Sequence, residues 1–418
     1  MKKKEIGANN PVNDTNSIIE KIVNKKITIH VLRSFPSGTL NMDENGRPKT
    51  AQWGGVTRGR ISSQCLKYHI RRYFNETGME HMGVRTRFMP QLVLDRLFAK
   101  RETDEDLANM DEKALEAVCE RLKEFGKSES SGGGNGKDSL STSQVLFFSD
   151  EDIETLTNGM IQVLMDCNGD VEKIKEVKKK DIEESIVDCA VSPISIDMAL
   201  FGRMVTSTYL SNVESAVQMA HAITTHAIYK EADFFTCVDE LLSKGLAGSG
   251  EIGAGHANYK NYQSGTFYMY SAVDLGVLAE NMMRVQDGEK LIPETIEAFI
   301  KAFAMVYSKT GQNAFASQVR PALVMVEVQD GAVPTYSYAS AFETPVKTYG
   351  QNPEVLKNSV KALVERVDLD DKGYEGITNI THRAYWSPEF AEEIAPQKHE
   401  KFDSLKDLAE AVSEWIKE

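Results

Sequence analysis

The hydrophobic period changes twice along this 418-residue chain, and that change limits the fold more than any single motif does. Ile27-Thr28-Ile29-His30-Val31-Leu32 is rich in β-branched residues and bounded downstream by Pro36, Gly38 and Gly46, which predicts a strand followed by a long loop. Ser62 and Ser63 then offer an N-cap for a helix whose Leu66, Ile70 and Phe74 share one face. From about 75 to 189 the pattern is helical and strongly charged, with candidate helices at 91–100, 107–125, 153–165 and 171–180. After 190 it turns strand-like at 196–204, 217–228, 265–273 and 322–328. In the last of these Ala322, Val324, Val326 and Val328 share one face, the period of a half-buried strand. Pro293 opens a helix with Ile296, Phe299, Ile300 and Phe303 on its apolar stripe, and a final helix carries Leu405, Leu408, Val412, Trp415 and Ile416. Strand, helix, helical insertion, then strands with helices is the order of an α+β sheet domain with inserted lobes. Residues 1–26 lack sustained periodicity and are expected to form a flexible N-terminal arm, closing in a short helix near 17–24.

Composition narrows the class. Apolar residues make up 41% and charged residues 26%, ordinary values for a globular chain. No apolar run approaches the roughly 18 residues of a membrane span, and the polar start lacks a secretory core, so a cytoplasmic protein with no membrane partner is expected. Five cysteines without a C-x-x-C pair indicate neither a disulfide framework nor a zinc site, and they are expected to be small buried residues. The net charge of −14 conceals an asymmetry: residues 25–101 hold 15 Lys and Arg against 5 Asp and Glu, a local +10 that leaves −24 elsewhere. A basic segment of this size neutralises several phosphates, and an acidic remainder limits indiscriminate binding.

The strongest local feature lies inside that segment. Gly54-Gly55-Val56-Thr57-Arg58-Gly59-Arg60-Ile61-Ser62-Ser63-Gln64-Cys65-Leu66-Lys67 puts glycines, cations and hydroxyls before a helix start, where free backbone N–H groups and the helix dipole favour an anion. Two other glycine motifs fail. Gly248-Ser249-Gly250-Glu251-Ile252-Gly253 follows a charged, helix-like segment, not a strand, and Ser131 to Asp138 lacks the first Gly and the Ser or Thr of a P-loop. His221 and His226, five apart, cannot chelate one ion from a strand or a helix. No serine elbow or paired-carboxylate motif stands out, so catalysis, metal and cofactor are not expected. Aromatic segments such as Phe234-Phe235 and Phe267-Tyr268-Met269-Tyr270 suit either a core or base stacking.

Several of these motifs, in this order, resemble one family. Ile27 to Leu32, Leu40 to Ala51, Arg58 to Lys67, Ala199-Leu200-Phe201-Gly202-Arg203-Met204, Val217 to His226 and Gly265 to Tyr270 are similar to the CasC family, the backbone subunit of the type I-E CRISPR Cascade complex. Met42, the long arm and the glycine-rich insert at 131–136 depart from the family pattern.

The resemblance implies a hand-shaped subunit: a modified RNA-recognition-motif (ferredoxin-like) palm sheet with an inserted helical fingers lobe and a thumb extension. The implied divisions are arm 1–26, palm 27–72, fingers 73–189, palm 190–226, thumb 227–264, and palm with C-terminal helices 265–418. Its implied partners are CRISPR RNA, target DNA through the guide, further copies of itself in a helical filament, and other Cascade subunits. Specificity would lie in base pairing while the protein reads backbone and shape. The expected RNA contacts are Lys49, Arg58, Arg60, Ser62, Ser63, Gln64, Lys67 and Arg203, with Met204, at the end of an expected palm strand, and Phe235 wedging bases across a subunit junction. The alternative is a metal-dependent RNA-cleaving relative using Asp43 in the loop after the first strand.

Overall fold

The computed structural model describes residues 18–126, 140–142, 144–187, 193–205, 210–229, 231–237, 256–306, 315–394 and 400–418. Among these, the strands are β1 (Lys25–Gly38), β2 (Thr50–Trp53), β3 (Val56–Ile61), β4 (Val84–Thr86), β5 (Leu146–Phe148), β6 (Val217–Met219), β7 (Ala222–Thr224), β8 (Glu231–Cys237), β9 (His256–Asp274), β10 (Leu323–Asp330), β11 (Ile380–Trp386) and β12 (Glu400–Lys401). Ten form one sheet in the order β12-β11-β10-β1-β9-β7-β3-β2, with β6 and β8 also on β9; β4 and β5 pair separately. β1 runs antiparallel to β10 on one side and β9 on the other, with Ile29 opposite Val326 and Ser271.

The β1 alternation sends its side chains into two different cores. Ile27, Ile29 and Val31 join Val324, Val326 and Val328 beneath the helices Ser63–Glu76, Ile196–Phe201, Leu275–Met282, Gly288–Met305 and Leu405–Trp415. Leu32 joins Leu323, Met325, Tyr268 and Tyr270 beneath the helix Val355–Gly373. Helices on both faces correct the half-buried reading of β10: every residue from Leu323 to Gln329 is buried. Glu327, His30 and Tyr268 on that second face are paired. Glu327 accepts from Arg383 Nε at 2.6 Å, Tyr338 Oη at 2.9 Å and Thr28 Oγ1 at 3.0 Å, while His30 lies 3.1 Å from Thr28 and 2.7 Å from the Tyr268 hydroxyl.

A third core belongs to a helical lobe between β4 and the Ile196–Phe201 helix. Helices Met89–Arg101, Glu112–Arg121 and Asp150–Asp166 contribute Val93, Leu97, Leu115, Val118, Leu156 and Met160. The single helix expected at 107–125 is broken into Glu105–Ala108, Glu112–Arg121 and a 3-10 turn at Leu122–Gly126, because Asp111 caps a fresh start by accepting from Lys113 N at 3.1 Å.

Two further expectations are corrected. Within the 196–204 segment, Ile196–Phe201 is a helix and not a strand: Ile196 to Leu200, Asp197 included, are all buried, so no exposed face sets a period, and Gly202 at φ 76° ends the helix. The helix at Pro293 begins earlier, at Gly288, with Pro293 inside it. The short helix expected near 17–24 is present as Ile18–Ile22; it places Ile22 in the first core, and just after it Lys25 Nζ donates to Trp415 O at 3.2 Å. Residues 1–17 and both declined glycine motifs lie outside the described residues. Of the cysteines, Cys119 and Cys167 are buried and Cys65 is half-buried.

Candidate nucleic-acid interface

The expected anion site is built on β3 and the helix Ser63–Glu76, but its chemistry is differently distributed. Gly54 and Gly55 turn β2 into β3 at φ 59° and 75°, so they serve the hairpin and not a phosphate cradle. At the helix start Ser62 is the N-cap, buried, its hydroxyl accepting from Cys65 N at 3.4 Å. Ser63 N donates to His221 Nδ1 at 3.0 Å. The protein therefore satisfies two of the helix's first N–H groups itself, which leaves the side-chain cations and the exposed Gln64 to meet a ligand.

Those cations form two groups. Lys49 and Arg60 stand beside the helix start; burial, then Arg60 and Lys49, push the His221 imidazole below its ordinary value, which suits an acceptor for Ser63 N. Arg60 is steadied by donating from Nε to Thr50 O at 3.1 Å. One turn into the helix, Lys67 lies on the wall of a cleft of about 640 Å³ together with Tyr68, Arg71, Arg85, Phe201 and Met204. The Lys67 ammonium sits 5.5 Å from the Phe201 ring, and burial together with Arg85 lowers its pKa. Arg71 is held differently, by Asp197 at 2.6 Å, and donates to Gly83 O at 3.1 Å, so it shapes the wall. Among the described residues Lys49, Arg60, Lys67 and Arg85 have no carboxylate partner.

Two expected phosphate ligands are withdrawn from solvent. Arg58 is fully buried, donating to Phe342 O at 2.7 Å, Thr224 O at 3.1 Å, Glu343 O at 3.2 Å and Trp53 O at 3.2 Å, with its guanidinium 5.3 Å from the Trp53 ring. It shares a β3 face with Arg60, yet the segment at 342–343 covers only Arg58. Arg203 is buried against Asp152 and also donates to Phe147 O at 3.2 Å and Ser211 O at 3.0 Å. Both residues organise backbone.

Met204 and Phe235 are at the surface, 93% and 43% exposed. Met204 follows a helix end and lines the cleft, whereas Phe235, on β8, is not among the residues lining it. On the opposite side of the β8–β9 ribbon from Phe235, Phe234 pairs with Tyr259, rings 5.0 Å apart and both exposed. Sequence reasoning singled out Phe235 from the pair and missed Tyr259, Tyr68 and Arg85; strand register and helix facing were the signals needed. Asp43 closes its own turn, one carboxylate oxygen accepting from Asn45 N and Arg47 N at 2.9 Å each. No group of three metal-binding side chains occurs among the described residues.

Residues 27–414 match the family model described as CT1975-like protein. The chain belongs to the CT1975-like protein family. Membership bears out the CasC resemblance drawn from the motifs. A chain in a structure described as "CRISPR RNA-guided surveillance complex, pre-nicking" is similar at a TM-score of 0.73 and 25% identity, covering 94% of this chain and 100% of its own. A chain of a second "CRISPR RNA-guided surveillance complex" shares the fold at a TM-score of 0.65 and 21% identity, over 93% of this chain and 99% of its own. No curated protein matches the chain. The family match spans the sheet, the helical lobe and the β8–β9 ribbon alike.

Proposed function

We propose that this CT1975-like chain is the guide-RNA-binding backbone subunit of a type I-E CRISPR surveillance complex. It holds the RNA backbone without sequence preference, polymerises along the guide and displays bases for pairing with target DNA, in the cytoplasm and without catalysis. The observation that carries this reading is the set of four cations, Lys49, Arg60, Lys67 and Arg85, left without carboxylates around one helix start and cleft. Unpaired cations in a groove gain by releasing counterions from a polyanion, and they read no base edge. The fold shared with a chain of an RNA-guided surveillance complex supports the choice of RNA as that polyanion.

Ser63 and Gln64 lie where a backbone contact is expected, while Arg58, Ser62 and Arg203 support the site from behind. Met204 on one copy and the β8–β9 aromatics on the next are the surfaces that would part neighbouring bases, since stacking tolerates every sequence. In a salt titration of single-stranded RNA binding, Arg60→Ala with Lys67→Ala should weaken all sequences alike and shallow the slope by about 0.7 per lost contact. Unchanged affinity and slope would refute the site. Magnesium-dependent RNA cleavage abolished by Asp43→Ala would refute the non-catalytic reading.

A further inference from the structure

Met204 is 93% exposed, yet its backbone is clamped on both sides. Arg203 N donates to Val213 O at 2.9 Å, Val213 N returns to Arg203 O at 2.8 Å, and Val205 N donates to Asn212 Oδ1 at 2.7 Å. Gly202 allows this crossing: at φ 76°, a Cβ there would meet Val213 O at 2.9 Å. The clamp is completed by the Arg203 side chain, which reaches three separate parts of the molecule. Its guanidinium meets Asp152 at the start of the lobe helix Asp150–Asp166, Phe147 O on β5, and both the carbonyl and, at 3.3 Å, the hydroxyl of Ser211. Ser211 Oγ also accepts from Arg284 at 2.6 Å, and Asp152 is itself fixed in a capping box, accepting from Ser149 N at 2.8 Å.

A buried ion pair is a costly way to hold a surface loop, because desolvation offsets most of its attraction, and what it supplies is geometry. Here the geometry supplied is that of one exposed methionine at the mouth of the cleft, set from the helical lobe. We propose that Arg203 is a positioning residue: the Asp152–Arg203 pair transmits the orientation of the helical lobe to Met204 and so fixes where along the RNA a base is met. This rests on the reading that Met204 meets a base.

The test uses the full chain and a single-stranded RNA carrying a fluorescent base analogue at each position in turn. Met204→Ala should remove the fluorescence change at the position it meets and weaken binding by about tenfold, the scale of one lost stack. Arg203→Lys, which keeps the charge and loses the planar fork, should remove the same signal without altering the salt slope, and the double variant should be no worse than either alone. Asp152→Asn, which keeps the size of the side chain, provides the same reading should Arg203→Lys fail to fold. A shallower salt slope in Arg203→Lys, or an intact signal there when Met204→Ala removes it, would overturn the positioning role alone. A signal unmoved by Met204→Ala would overturn the base contact, and the positioning role with it.

Discussion

On the far face of the sheet Arg383 is held by Glu327 and by Asp371, each at 2.6 Å, while Lys67 and Arg85 on the cleft wall and Lys49 and Arg60 beside the Ser63–Glu76 helix start have no carboxylate partner among the described residues. The two regions lie in one chain, and both rely on arginine. Buried charge with every donor matched specifies a packing arrangement; charge left unmatched at a groove is available to a polyanion. Arg58 and Arg60 repeat the contrast two residues apart. Mutations that separate stability from RNA affinity should therefore sort by region.

The largest effect is expected at Arg383. Arg383→Met strands the Glu327 carboxylate in the core and should cost about 3–5 kcal/mol in denaturant unfolding, with RNA affinity and its salt slope unchanged. A loss of RNA binding in the folded variant would break the division.

Acid should expose the same region next. Burial alone would raise the Glu327 carboxyl, but His30 and Arg383 outweigh it and hold the pKa at about 2, against 4.5 for an ordinary carboxyl. The depressed value means that the stabilisation is complete above about pH 4.5 and drains away as pH falls toward 2, on the order of 3 kcal/mol in all. Glu327→Gln should flatten that part of the stability curve; an unchanged pH dependence would remove Glu327 as its source.

The smallest effects sharpen the contrast most. Arg58→Met leaves buried carbonyls without their donor and should cost about 2 kcal/mol with no change in salt slope. Arg60→Met should stay within about 0.5 kcal/mol in stability and shallow the slope by about 0.7. Equal effects of the two on both measurements would erase the distinction between them.

Much of this was legible before the fold was known. The β-branched run became β1, the Leu66-Ile70-Phe74 face became the buried side of its helix, and the +10 segment supplied all four unpaired cations. The helix at Ile196–Phe201 was not legible, because a run buried from Ile196 to Leu200, Asp197 included, has no exposed polar face to set a period. The alternation of β10 was legible but not its second cover, which comes from the distant helix Val355–Gly373.

By itself, then, the sequence determined most of the elements, the α+β class and the location of the positive charge, since local periodicity and composition act over a few residues. Only the tertiary structure decided which cation stays uncovered. Arg58 and Arg60 flank the same glycine and share one side of β3, and they differ because carbonyls of Phe342 and Glu343, nearly three hundred positions away, close over one of them. Desolvation is set by what packs on top of a residue, and that is a property of the assembled chain.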